Sequence, residues 1–284
     1  MTTILISNNA PALQACEPHV TVEAEYGEAV VSGSLLTMAH HGPRAGQKAP
    51  CAYGNDCVQK TPGLVVGVSH VDLDTIGGIM AALGSKLDVP SFWRLAEQVD
   101  LGGAHKLATF GANVEDLGRL YAYWAFSQSV RVYAPRDGSV ADVTSDVFQH
   151  VEALTAILSG ARALLDAGEA FRDDESALNR ETFQSIEGGV ILRSSIRFVN
   201  HLYVAPDGQV GRAVVTHNSG NDLSGGAITL SLADPIEGVS CGAILRDLFG
   251  PEAGGHAGIG GSPRGKPLPY SEAVRTADAI RALL

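Results

Sequence analysis

Apolar positions in the first third of the chain come in short, sharply bounded runs. "TILIS" (3–7), "VTVEAEYGEAVVSGSLLTMA" (20–39) and "GLVVGVS" (63–69) have the length and composition of strands. The second carries a Tyr26–Gly27 turn signal between two runs and predicts a hairpin. The third is continuously apolar and bounded by glycine, the pattern of a strand covered on both faces. The period then changes. "TIGGIMAALG", "SFWRLAEQVD" and "EDLGRLYAYWAFSQSV" read as helices, and strand, polar turn, helix is α/β grammar. From Ser145 to Gly168, the apolar residues Val147, Val151, Leu154, Leu158, Ala161 and Leu165 predict one helix closed at Asp166–Gly168. The polar stretch "FRDDESALNRETFQ" after it reads as a linker.

The C-terminal part has its own pattern. "GGVILRSSIRFVNHLYVAPDGQVGRAVVTHN" holds several strand-like runs with a hairpin signal at Pro206–Asp207–Gly208, and "GGAITLSLAD" is a further strand. "VSCGAILRDLFG" predicts a helix capped at Gly250. "YSEAVRTADAIRALL" predicts a closing amphipathic helix with Ser271 as N-cap and Ala273, Val274, Ala277, Ile280 and Leu284 on its apolar face. The expected architecture is therefore two-domain α/β. An N-terminal Rossmann-like sheet with helices (1–145) and a smaller C-terminal α/β domain (186–284) are joined by a helix and linker (146–185), with a cleft between the domains.

Composition narrows the function classes. The 284 residues are 45% hydrophobic and 18% charged, as in globular proteins. No apolar run reaches the length of a membrane span, and "MTTILISNNAP" has no signal-peptide pattern, so a cytoplasmic protein is expected. Four scattered cysteines do not make a disulfide framework. A net charge of −11 disfavours long nucleic acids and leaves room for a small, locally gripped phosphorylated ligand.

Candidate chemistry gathers at strand ends. "VSHVDLDTIGG" places His70, Asp72 and Asp74 beyond the carboxyl end of the buried strand, where ligands sit in open α/β sheets. Imidazole with carboxylates suits a hard or borderline divalent metal; a helix-capping role would account for one of the two aspartates. His40 and His41 end another predicted strand. Consecutive strand residues face opposite ways, so one of the two is expected as a ligand and the other as a proton donor, unless the strand stops there. Asp100 and His105 follow a helix in "AEQVDLGGAHKL", Asp100 as a ligand candidate and His105 as a catalytic one. In "GGHAGIGGSPRG" (254–265), consecutive glycines allow an anion to approach the backbone, with Gly254, Gly255, His256, Ser262 and Arg264 as candidate phosphate contacts.

"HVDLDTIGGIMAAL" resembles the first motif of the DHH phosphoesterase family, and "GAITLSLADPIEGVSCGAILRDLFGPEAGGHAGIGGSPRG" is similar to its C-terminal substrate-binding domain. The two stretches occur in the family's order and cover roughly half the chain. The resemblance implies hydrolysis of a phosphoester in a small substrate, such as a short oligonucleotide, nucleotide or phosphometabolite. It further implies water activated by one or two divalent ions, usually Mn2+, with His70, Asp72, Asp74 and Asp100 as ligands; His41 is a further ligand candidate, the choice between it and His40 staying open. The Asp-His-His motif is not in its usual place: Ala39–His40–His41 precedes the first motif, the isolated second-motif aspartate has no counterpart, and Ala233 stands where an arginine is common. Two rival readings stay open, a metal-dependent hydrolase of a non-phosphate bond and a non-catalytic nucleotide-binding protein. A homodimer is also left open.

Overall fold

The protein is described from a computed structural model covering residues 2–284, except 45, 58, 220–224 and 264. Backbone contacts divide the chain into two compact units, Met1–Arg172 and Asp173–Leu284. Each is a mixed α/β unit with its own sheet and core.

The first unit contains strands β1 (Thr3–Ile6), β2 (Val20–Val22), β3 (Glu25–Tyr26), β4 (Ala29–Val30), β5 (Leu36–Met38), β6 (Val65–Val68) and β7 (Ala141–Asp142). Its helices are α1 (Ala10–Gln14), α2 (Leu73–Leu83), α3 (Pro90–Gly102), α4 (Val114–Ser129) and α5 (Thr144–Leu158); α6 (Arg162–Thr182) crosses the division between the units. The main sheet has the order β5-β2-β6-β1-β7, with β5, β2, β6 and β1 parallel and β7 antiparallel at the edge. Central β6 is the continuous apolar run, and Val66 and Val68 are fully buried. The parallel arrangement brings four carboxyl ends to one edge of the sheet, and residues that follow β2 and β5 belong to the site.

Helix α2 shows why its sequence carries two adjacent glycines. A Cβ on Gly77 would sit 2.7–2.9 Å from Cys51 and the Trp93 ring, and one on Gly78 would sit 2.7 Å from Pro50 and 2.8 Å from Val22. The helix therefore packs its backbone directly against the sheet and the 3-10 turn Pro50–Ala52. Asp72 caps its first turn by accepting from the Thr75 N–H at 2.8 Å.

Three expectations for this unit need correction. Runs 20–22 and 36–38 do not pair as a hairpin: both lie parallel in the main sheet, and only the two-residue ribbon β3–β4 turns back at Gly27. The helix foreseen over 145–168 breaks at Gly160, whose φ of 88° lies in the left-handed region. The polar stretch after it, within which the two units divide, is helical as far as Thr182, because Arg, Glu, Ala and Leu are strong helix formers that need little burial.

The second unit contains β8 (Phe183–Glu187), β9 (Val190–Ser195), β10 (Ala213–Asn218), β11 (Ala227–Leu232), α7 (Cys241–Phe249), β12 (Gly254–Gly255), β13 (Ile259–Gly261) and α8 (Tyr270–Arg281). Its sheet runs β12-β13-β11-β10-β9-β8, antiparallel except for the β9–β10 pair. Leu192, Val215, Leu230, Leu245, Ala277 and Ile280 contribute to its core. Pro206–Asp207–Gly208 forms the foreseen turn, closed by a Val204–Val210 bridge. Helix α8 begins after Pro269, so Ser271 falls inside its first turn, and Thr276 is buried where Val274 is 38% exposed. The glycine-rich stretch, read as a loop, adds two short strands to the sheet edge.

Candidate metal centre

The strand ends converge on His40. Strand β5 stops at Met38, the chain bends at His41, and the two rings lie side by side with centroids 3.9 Å apart. His40 is fully buried, and its Nε2 lies 3.1 Å from Glu23 Oε1, 3.1 Å from Asp100 Oδ2 and 3.6 Å from Asp74 Oδ2. His41 is half exposed, with Nε2 3.6 Å from Glu23 Oε2. Four elements supply these groups: the end of β2, the end of β5, the start of α2 and the last turn of α3.

Two overlapping groups result, Glu23–His40–His41 and His40–Asp74–Asp100, each able to hold a metal ion. The polar atoms themselves test the fit. Glu23 Oε1, His40 Nε2, Asp74 Oδ2 and Asp100 Oδ2 are buried and lack a well-aligned hydrogen-bond partner. Buried polar atoms are rarely left so. Ligands bound at about 2.0–2.2 Å stand roughly 3.0–3.6 Å from one another, which matches these separations. The donor set of imidazole and carboxylates suits a borderline or hard divalent ion.

The surrounding contacts fix the donors. The Cys51 N–H donates to Asp74 Oδ1 at 2.8 Å, which leaves Oδ2 toward His40. Lys86 Nζ in turn donates to the Cys51 and Tyr53 carbonyls and lies 4.1 Å over the Trp93 ring. Burial raises the Asp74 pKa to about 7 in spite of the Cys51 contact. Burial would lower the pKa of His40, but the Asp100 and Glu23 carboxylates push it up to about 10.

Glu23 was not foreseen. It is 2% exposed and has φ 51°, a backbone conformation uncommon for a non-glycine residue and frequent at functional sites. Its N–H donates to the Met38 carbonyl at 2.9 Å and its carbonyl accepts from Ser69 Oγ. An acid directly after the apolar "VTV" is the one signal in the sequence, and it is indistinguishable from the polar phase of a longer strand.

The other sequence candidates are placed differently. His70 and Asp72 are about half exposed and pair with each other at 3.3 Å, outside both groups. His70 Nδ1 lies 2.9 Å from Ser69 Oγ. His105 lies in the 3-10 segment Ala104–Thr109 with its ring against Gly103 and joins neither group. In the second unit, Gly254 and Gly255 are edge-strand residues; a Cβ on Gly255 would meet the Ile259 carbonyl oxygen at 2.4 Å. The His256 and Ala257 carbonyls accept from the first N–H groups of α7 while the His256 side chain is exposed. Ser262 is buried, its hydroxyl accepting from the Ile228 N–H at 2.9 Å. Arg264 lies outside the described residues.

No family model matches the chain, and neither does any curated protein. Among solved structures, it is similar to an exopolyphosphatase-related protein from Bacteroides fragilis, with 9% identity and a TM-score of 0.27. The match covers 87% of this chain and 64% of that one, so the chain spans less than two thirds of that structure's length. Among the described residues no helix is long and apolar enough to cross a membrane.

Proposed function

We propose that this chain is a metal-dependent phosphoesterase acting on a small phosphorylated substrate. The observation that carries the reading is the set of buried carboxylate oxygens crowded around His40 Nε2 without well-aligned hydrogen bonds. Glu23, His40, Asp74 and Asp100 would hold the ion, with His41 joining through Glu23. Mn2+ is the proposed metal. When bound, it would supply Lewis-acid charge and an activated water. Phosphate chemistry is proposed on the likeness of "HVDLD" and the Gly-Gly-His stretch to phosphoesterase motifs.

The chain's own residues have distinct tasks in this scheme. Asp74, tied to the Cys51 amide, keeps one oxygen in a fixed direction. His41 has its ring half in solvent and is the group able to pass a proton to a leaving oxygen. His70, oriented by Asp72, stands at the same strand edge as a second polar contact. In the second unit we propose residues 254–264 as the phosphate-binding element, with His256, whose side chain is exposed, as a donor and Arg264 as a second donor by its chemistry. Residues 1–145 would then be the metal-binding domain and 186–284 the substrate-binding one.

The test is Mn2+-dependent hydrolysis of bis-p-nitrophenyl phosphate beside p-nitrophenyl acetate, in native protein and in Glu23→Gln and Asp74→Asn. Phosphodiester turnover that both substitutions abolish is the expected result. Metal-dependent turnover of the acetate alone would move the assignment to non-phosphate hydrolysis.

A further inference from the structure

The ribbon β3–β4 projects from the sheet between β2 and β5, and its first residue is Glu25. Glu25 Oε2 accepts from the His40 N–H at 3.3 Å, and Oε1 accepts from the His41 N–H at 2.9 Å. One carboxylate therefore grips two consecutive backbone amides. In an extended strand consecutive N–H groups point to opposite edges, so a single carboxylate cannot reach both. The grip and the turn at His40–His41 require each other. The same turn swings both rings toward Glu23, against the alternation that a strand imposes. The ribbon is itself held in place: Tyr26 OH donates to the Ser7 carbonyl at 2.8 Å, and Ala24 is buried in a small core with Leu13 and Val31.

We propose that Glu25 is the positioning residue of the metal centre. Glu23 meets the two imidazole rings with its carboxylate, while Glu25, two residues on, holds their backbone. The "Glu-Ala-Glu" of residues 23–25 is thus one device acting on "His-His", and pairing of Glu25 with Val30 in the ribbon holds its backbone. This inference rests on the metal reading above. The contact is charge-assisted and bidentate, the stronger kind of hydrogen bond, so its loss frees the backbone at both histidines together.

The test uses the full-length protein with and without Co2+. In the metal-free protein, amide exchange of His40 and His41 is followed by NMR in native protein, Glu25→Gln and Glu25→Ala. Protection of both amides in the native chain, lost in Glu25→Ala, is expected. Co2+ affinity should fall about ten- to a hundredfold in Glu25→Ala, the usual range for groups that orient metal ligands. The Co2+ visible spectrum should change with it, while Glu28→Gln on the exposed turn of the ribbon leaves both unaltered. A Glu25→Ala, His41→Ala double variant should lose less than the two single effects combined, because Glu25 acts through the histidine pair. Unprotected His40 and His41 amides in the native chain, or Co2+ affinity within twofold of native in Glu25→Ala, would overturn the inference. Native protein that takes up no Co2+ would overturn the metal reading, and protected amides would still uphold the Glu25 grip.

Discussion

A cation entering the His40 site must displace a proton. The His40 ring is fully buried, which alone would lower its pKa, but the Asp100 and Glu23 carboxylates at 3.1 Å push it up to about 10. Metal ions bind the neutral imidazole. At neutral pH the protonated form dominates, and displacing the proton costs about 4 kcal/mol, roughly a thousandfold in apparent affinity. The direction is fixed: apparent metal affinity rises with pH, about tenfold per unit, until the pH passes the His40 pKa. Below neutrality Asp74, raised by burial to about 7, brings a second proton and steepens the dependence. Calorimetric titration with Mn2+ in buffers of different ionisation enthalpy counts the protons released. About one per ion is expected slightly above neutral pH, and more than one in mild acid. Glu23→Gln, which removes one of the charges holding the proton, should release less. An affinity that is flat with pH, with no proton released, would refute the crowding of carboxylates around His40.

Asp74→Asn keeps an acceptor for the Cys51 amide but removes the charge beside His40; metal affinity should fall at least about tenfold. Metal-free thermal stability should hold or rise, since a carboxyl whose ionised form burial disfavours is gone. Gly77→Val should destabilise the chain by at least about 1–3 kcal/mol in guanidinium unfolding, because its side chain has no room against Cys51 and Trp93. Burial lowers the His150 pKa although its Nε2 reaches the Val130 carbonyl at 2.9 Å. The unfolded chain therefore takes up that proton first as pH falls. Stability is retained above the ordinary histidine range and declines below it, and urea unfolding across that range should show the slope shrinking in His150→Gln.

Much of the first unit could be read from periodicity. The apolar run of β6, the polar turn and helix α2 appear in the order that places Asp74 at a strand end, and Asp100 follows from the end of α3. The donors that complete the centre depend on geometry that no local pattern carries. Glu23 follows a three-residue strand whose alternation predicts an ordinary exposed acid, and only the left-handed turn there buries its carboxylate. The His40–His41 pair was legible as chemistry, yet its convergence depends on β5 stopping at Met38 and on an amide grip from Glu25, fifteen residues upstream of His40. His70 and Asp72 show the reverse case. Their spacing matches a metal motif, and in the structure Asp72 caps α2 and lies 3.3 Å from His70, apart from the groups around His40. In the second unit, glycine content argued for a loop, whereas close backbone packing between β12, β13 and α7 is what those glycines permit.

Anomalous diffraction from crystals soaked in Mn2+ tests the central claim most directly. The account predicts a manganese peak within bonding reach of His40 Nε2, ringed by carboxylate oxygens of Glu23, Asp74 and Asp100. No peak there, or manganese held only at His70 and Asp72, would contradict it.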